Sequence, residues 1–357
     1  MVSRVSVRAG HALMTVSAGD RFVTAMDQFP RISVLIPCYN EEKTVAKVVA
    51  DFRDALPSAT VFVFDNNSTD ATVECAKTAG AIVRSERRQG KGNVVRRMFS
   101  DIDADIYIIV DGDATYDASA ATEIVRRMLD EGLDFLNCVR VTDLEAAYRP
   151  GHKFGNLMFT GMVRSIFGTE INDMLSGYKG LSKRFVKSFP ALSQGFETET
   201  ELAVHALELR MPIGELRTSY FDRPDGSESK LSTFRDGWRI LRTVARLIRD
   251  ERPLAFFSVM SAVAATASLA FGLPVVYAFM KTGLVLKFPT AILAASLMMI
   301  AMLSLVAGLI LDTTTRGRRE MKRLHYLSFP SIHAELMRRA GEAPRPVIAA
   351  ERKGAVR

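Results

Sequence analysis

The chain has 357 residues, a formal net charge of +7 and three cysteines, none in a CxxC pair. The length accommodates a catalytic domain and an appendage, and the cysteine pattern excludes a zinc ribbon or a disulfide framework and points to a reduced compartment. Mean hydropathy is +0.09, high for a soluble enzyme because of two apolar stretches near the C-terminus; much of the basic excess lies beside them, which favours anionic lipid over nucleic acid as the partner.

Residues 1–30 carry Arg4, Arg8, Asp20 and Arg21 without a sustained apolar core, so they read as a flexible N-terminal extension and not as a secretory signal. From Arg31 onward strand and helix patterns alternate. Ile32–Ile36 predicts a strand, Glu42–Ala55 a helix, Val61–Phe64 a strand, and Asp70 opens a helix to about Ala79. A short strand at Ile82–Val83 precedes a Gly90-Lys91-Gly92 loop and a helix through Phe99. Next come a strand at Ile106–Val110, a helix through Leu129 and a strand at Phe135–Val139. This alternation predicts an α/β domain over 31–230 built on a doubly wound, mostly parallel sheet.

Asp111-Gly112-Asp113 follows the buried-looking run Ile106–Val110. Ligands of such sheets bind beyond the carboxyl ends of the strands, and two carboxylates there offer hard oxygens for Mg²⁺ or Mn²⁺ held together with phosphate oxygens. Asp-Gly-Asp is also ordinary turn chemistry, so this motif alone does not decide the matter.

Residues 231–253 predict an amphipathic juxtamembrane helix. Phe234, Trp238, Leu241, Ala245 and Ile248 share one face, with Arg235, Arg239, Arg242, Arg246 and Arg249 on the rest, a pattern suited to the bilayer interface. Within 254–311, Leu254–Met280 and Phe288–Leu311 contain no charged side chain, and each is long enough to cross a hydrocarbon core as a helix. Pro274 interrupts the first, which membranes tolerate. Arginines flank both outer ends, while the connecting loop holds only Lys281 and Lys287. The positive-inside rule then places the catalytic domain, both termini and a basic tail over 312–357 on the cytoplasmic side of the cytoplasmic membrane.

The strand-end motifs Pro37-Cys38-Tyr39-Asn40-Glu41-Glu42, Asp65-Asn66-Asn67-Ser68-Thr69-Asp70 and Asp111-Gly112-Asp113, taken together, resemble family 2 glycosyltransferases of the GT-A fold. Ser176-Gly177-Tyr178-Lys179-Gly180 and the stretch Arg223 to Leu231 narrow the resemblance to the polyprenyl-phosphate branch typified by dolichyl-phosphate mannose synthase. It covers about Arg31 to Leu231.

The resemblance implies that Pro37, Tyr39, Glu41 and Asp65 bind the nucleoside, with Gly90 and Lys91 in a loop that closes on it. Asp111 and Asp113 become the metal pair; a glutamine often stands at the position of Thr115 in that branch, so Thr115 or water completes the shell. Arg140 matches an arginine that receives the lipid phosphate. His152, Lys153 and Asn156 fall where the branch places further acceptor-side groups; His152 stands in for an arginine, and Lys153 could serve instead. Arg223 and Lys230 correspond to basic residues near the donor diphosphate. Glu197, Glu199 and Glu201 open a helix where relatives acting on hydroxyl acceptors carry a catalytic acid, although for most of them an N-terminal charge cluster is the simpler reading.

The expected function is therefore inverting transfer of a hexose from a UDP- or GDP-sugar to a polyprenyl phosphate at the cytoplasmic face. A processive polysaccharide synthase is the rival enzyme, although the single tryptophan, Trp238, does not sit in the Gln-x-x-Arg-Trp motif of such synthases. The rival from another class is a non-catalytic membrane adaptor that binds nucleotide sugar and recruits a flippase. Oligomeric state stays open.

Overall fold

The computed structural model describes residues 30–141, 171–192, 197–221, 249 and 252–340. The described chain divides into an α/β unit, to which the segment from Tyr326 onward also belongs, and a second unit of apolar helices ending at His325.

The α/β unit is built on one sheet. Its strands are β1 (Ile32–Cys38), β2 (Thr60–Asp65), β3 (Ile82–Ser85), β4 (Ile106–Ile109), β5 (Phe135–Val141), β6 (Lys179–Ser182) and β7 (Ile213–Ser219), in the order β3-β2-β1-β4-β6-β5-β7. β3, β2, β1 and β4 are mutually parallel, as are β5 and β7, whereas β6 runs antiparallel to both its neighbours. The predicted mostly parallel α/β domain is the one observed, and the single reversed strand is what the alternation did not indicate.

The helices cover the sheet because their apolar positions recur at helical spacing. In α1 (Val45–Ala55), Val45, Val48, Val49 and Phe52 are buried at i, i+3, i+4 and i+7. α2 (Thr72–Thr78), α3 (Lys91–Asp101) and α4 (Ala120–Asp130) follow, the last burying Ala121, Ile124 and Met128. A Cβ at Gly180 would lie 2.5 Å from Ile124 and 2.7 Å from Met128, so glycine in β6 is what lets α4 approach the sheet closely. α5 (Lys183–Ser188) begins at Ser182, whose hydroxyl accepts from the Phe185 amide as an N-cap, and α6 (Thr198–Leu209) completes the layer.

Part of the segment expected as a basic tail packs on this unit. α9 (Ile332–Arg339) places Ile332 and Leu336 against the core cluster, and Arg339 grips Asp105 through two bonds of 2.8 and 2.7 Å. Just before it, the Tyr326 hydroxyl donates to Asp134 at 2.6 Å, and the Arg184 guanidinium lies 4.8 Å over the Tyr326 ring.

The second unit consists of α7 (Pro253–Thr282) and the run of α8 (Phe288–Leu327) up to His325. Both helices exceed the roughly 20 apolar residues a span requires, and Pro274 lies inside α7. Their outer surfaces are apolar: Val259, Met280, Leu303 and Ile310 are all exposed. Small and hydroxylated residues lie where they meet: Ser268 donates to the Ala294 carbonyl at 2.7 Å, and Gly272 faces the Ala294 methyl.

Candidate active site

Strand register assembles the site. Cys38 pairs with Asp65, and Leu35 pairs with Ile109, so the motifs that follow β1, β2 and β4 emerge at one carboxyl edge. Pro37 and Tyr39 lie at the end of β1, Tyr39 being 37% exposed, and Asp65 is buried at the end of β2 with one oxygen accepting from the Ser68 amide. The Glu41 carboxylate accepts from the Thr44 hydroxyl, which also donates to the Gly112 carbonyl at 2.7 Å. These contacts join the motif after β1 to the Asp-Gly-Asp turn.

The loop before α3 is fastened by two asparagines that the sequence reading left without a role. Asn66 donates to the carbonyls of Glu86 and Arg88 and accepts from the Gly90 amide at 2.7 Å, and Asn67 donates to the Arg87 carbonyl. Gly90 has φ of 125°, a conformation that glycine adopts without strain. It turns the chain into α3, so Lys91 is the first helical residue and its side chain reaches back across the site.

Lys91 forms ion pairs with Asp111, at 2.5 Å, and with Glu199 of α6. Burial opposes its charge, but the two carboxylates outweigh that and hold the ammonium above the usual lysine range. Asp113 is buried, and its Oδ1 accepts from the Thr115 hydroxyl at 2.6 Å; Thr115 is itself fully buried and so orients that carboxylate. Beneath them, burial together with Glu41 and Asp65 pushes the Cys38 thiol up, which makes it a poor nucleophile.

The segment leading into β6 lies against both Asp111 and Arg140. A Cβ at Gly177 would lie 2.1 Å from Asp111 Oδ2, so only glycine leaves that carboxylate its place. The Gly177 amide donates to the Tyr116 hydroxyl at 2.7 Å, and the Tyr116 ring meets Tyr220 edge to face at 5.2 Å. Tyr220 in turn lies 5.4 Å under the Arg140 guanidinium. Arg140, near the end of β5, is held by Asp173 through Nε at 2.7 Å and Nη2 at 3.0 Å. Burial raises the Asp173 carboxyl, but the Arg140 bonds outweigh it and keep it below the usual range.

Among the expected site residues, Pro37, Tyr39, Glu41, Asp65, Gly90, Lys91, Asp111, Asp113, Thr115 and Arg140 therefore lie at one edge of the sheet. Lys153, His152, Asn156, Arg223 and Lys230 lie outside the described residues, as does most of the expected interfacial helix. The sequence reading did not single out Asp173, Tyr116, Lys179 or the Lys91–Glu199 pair; the only signal was that Lys179 and Gly177 stand in one recognised motif. No group of three His, Cys, Asp or Glu side chains among the described residues could hold a metal alone. Two hard carboxylates that leave the remaining positions to diphosphate and water do suit Mg²⁺ or Mn²⁺, and the Gly177 cradle holds one of them in place.

A mostly parallel α/β sheet carrying a D-x-D pair at its carboxyl edge is the architecture of a GT-A glycosyltransferase. The chain belongs to glycosyl transferase family 2, which residues 33–188 match. It is 32% identical over 305 residues to glycosyltransferase AglJ of Haloferax volcanii, covering 83% of this chain and 98% of that protein. It is also 23% identical over 224 residues to a dolichyl-phosphate hexose transferase of the same organism, covering 63% of this chain and 96% of the relative. The fold is shared with Mycobacterium tuberculosis glucosyl-3-phosphoglycerate synthase in complex with Mn²⁺ and UDP-glucose, at a TM-score of 0.51 and 21% identity over 64% of this chain and 81% of that one.

Proposed function

We propose that this glycosyltransferase moves one hexose, with inversion, from a UDP- or GDP-sugar to a polyprenyl phosphate at the cytoplasmic membrane face. The observation that carries the reading is the convergence at one sheet edge of a carboxylate pair suited to a metal–diphosphate and an arginine fork on the neighbouring side. The likeness to a dolichyl-phosphate hexose transferase supports the acceptor class, and the two apolar helices supply a reason for a lipid substrate.

In this reading the acceptor phosphate is ionised at neutral pH, so it attacks the anomeric carbon without a protein base. The bond to the diphosphate breaks, and the nucleoside diphosphate leaves. Pro37, Tyr39, Glu41 and Asp65 bind the nucleoside, with Arg223 and Lys230 near its phosphates. Asp111 and Asp113 would hold Mg²⁺ or Mn²⁺, which would supply neutralising charge at the departing diphosphate. Thr115 orients Asp113, and Lys91 fixes Asp111 from the α3 side. Arg140, with Lys153, His152 and Asn156, aligns the acceptor phosphate.

The test is a panel of UDP-glucose, UDP-N-acetylglucosamine, UDP-galacturonate and GDP-mannose with undecaprenyl phosphate, Mn²⁺ and the purified full chain. A single donor should yield a lipid-linked monosaccharide phosphate by mass. A growing polymer, or transfer from none of the donors, would refute the reading.

The two helices are proposed to form a hairpin with both chain ends inside. Thiol reagents should then reach Gly283→Cys only from outside the cell, and Ser3→Cys and Val356→Cys only from the cytoplasm. Labelling of Val356→Cys from outside would leave one span and remove the hairpin.

A further inference from the structure

We infer that Lys179 is a positioning residue for the acceptor half of the site, holding Arg140 in place through Asn137 and Asp173. The inference rests on the assignment of Arg140 to the acceptor phosphate.

Lys179 is 1% exposed in the middle of the sheet, an expensive place for an ammonium group. A well-packed apolar side chain would fill such a position at lower cost, so packing alone does not account for the charge. Its direct partners are few. Nζ donates to Asn137 Oδ1 at 2.6 Å and lies 5.4 Å from the centre of the Phe135 ring. The charged and titratable groups that act on it are Asp173, Glu199, Cys138 and Lys91. Burial dominates and pulls its pKa down to about 8.

Asn137 faces Lys179 across the β5–β6 pair. Lysine can only donate, so it forces the amide oxygen of Asn137 toward itself and the amide nitrogen away. That nitrogen donates to the Asp173 carbonyl at 2.8 Å. The neighbouring residue is pinned as well: the Asn172 amide and side chain donate to Glu215 on β7, at 2.6 and 2.5 Å. Asp173 is thus fixed by its own backbone before its carboxylate takes the Nε and Nη2 groups of Arg140. A planar fork is useful to a phosphate only in a defined orientation, and this relay defines it from inside the sheet. Without the Lys179 donor, Asn137 can flip its amide and leave the Asp173 carbonyl unsupported.

The experiment is calorimetry of the full chain in detergent, with farnesyl phosphate and UDP as separate probes in the presence of Mn²⁺. Lys179→Met should weaken farnesyl phosphate binding about tenfold while UDP affinity stays within about twofold. Combined with Arg140→Ala it should add no more than about twofold to the single Arg140→Ala loss, since both act on one contact. Asn137→Asp keeps an acceptor for Lys179 but removes the donor to Asp173; it should reproduce the selective loss, and it serves if Lys179→Met does not fold. Unchanged farnesyl phosphate affinity, or fully additive losses, would overturn the positioning role. Wild-type farnesyl phosphate binding by Arg140→Ala would instead remove Arg140 from the acceptor site, and the inference with it.

Discussion

Asp113→Ala is expected to lower glycosyl transfer by roughly a thousandfold, the scale on which a preorganised charge-stabilising group acts, while the unfolding midpoint changes little. The side chain is buried, but it accepts from the neighbouring Thr115 hydroxyl at a strand exit and lies outside the apolar core cluster. Removing it deletes one of the two proposed ligands and leaves the other, Asp111, paired with Lys91. Chelator should reproduce the loss in the wild type, and Mn²⁺ or Mg²⁺ should reverse it there but not in the variant. Turnover of Asp113→Ala within tenfold of wild type, or full wild-type activity in excess chelator, would remove the metal pair from the mechanism.

The largest effect on stability is expected at the opposite edge of the sheet. Asp105 is 2% exposed and accepts from the Arg31 amide at 2.8 Å, from the Arg31 side chain and from both Nη groups of Arg339. Asp105→Ala leaves Arg31 with Asp103 and Arg339 with Glu335 and should destabilise the α/β unit by about 2 kcal/mol, below the range for a fully buried pair because the Arg31 side chain is 48% exposed. Denaturant unfolding of the full chain measures this, and a loss under about 0.5 kcal/mol would class the contact with exposed pairs of little energetic weight.

The pH dependence of this contact has a definite sign. Burial raises the Asp105 carboxyl, but the Arg339 and Arg31 bonds outweigh it and keep it below the usual range. The contribution is therefore complete above the unfolded carboxyl pKa of about 4 and is lost as pH falls through the lower folded value. Asp105→Ala should remove that acid-dependent part of the unfolding profile.

The local parts of this protein were legible before any coordinates. Apolar runs of two to five residues marked the first five strands, helical spacing marked α1 and α4, and two charge-free stretches marked α7 and α8. The strand-end motifs and the segments around them also named ten of the residues that the sheet gathers at one edge. Each of these signals lies in a window of a few residues, where backbone preference and side-chain periodicity act directly.

What joins those windows was not legible. The Lys91–Glu199 and Arg140–Asp173 pairs, the Gly177 cradle under Asp111 and the buried Lys179 depend on which strands become neighbours, and the reversal of β6 decides that. Glutamate 199 looked like one member of a helix-terminal charge cluster until the packing of α6 brought it to α3. The docking of α9 links Arg339 to an aspartate 234 positions away, a distance at which charge pattern carries no information about pairing. The amino-acid sequence by itself determined most of the elements, the family and which residues to look for at the sheet edge, because these follow from local chemistry. Only the tertiary structure decided how the carboxylates and cations are paired, because a buried ion pair is settled by register and burial, and both belong to the folded chain as a whole.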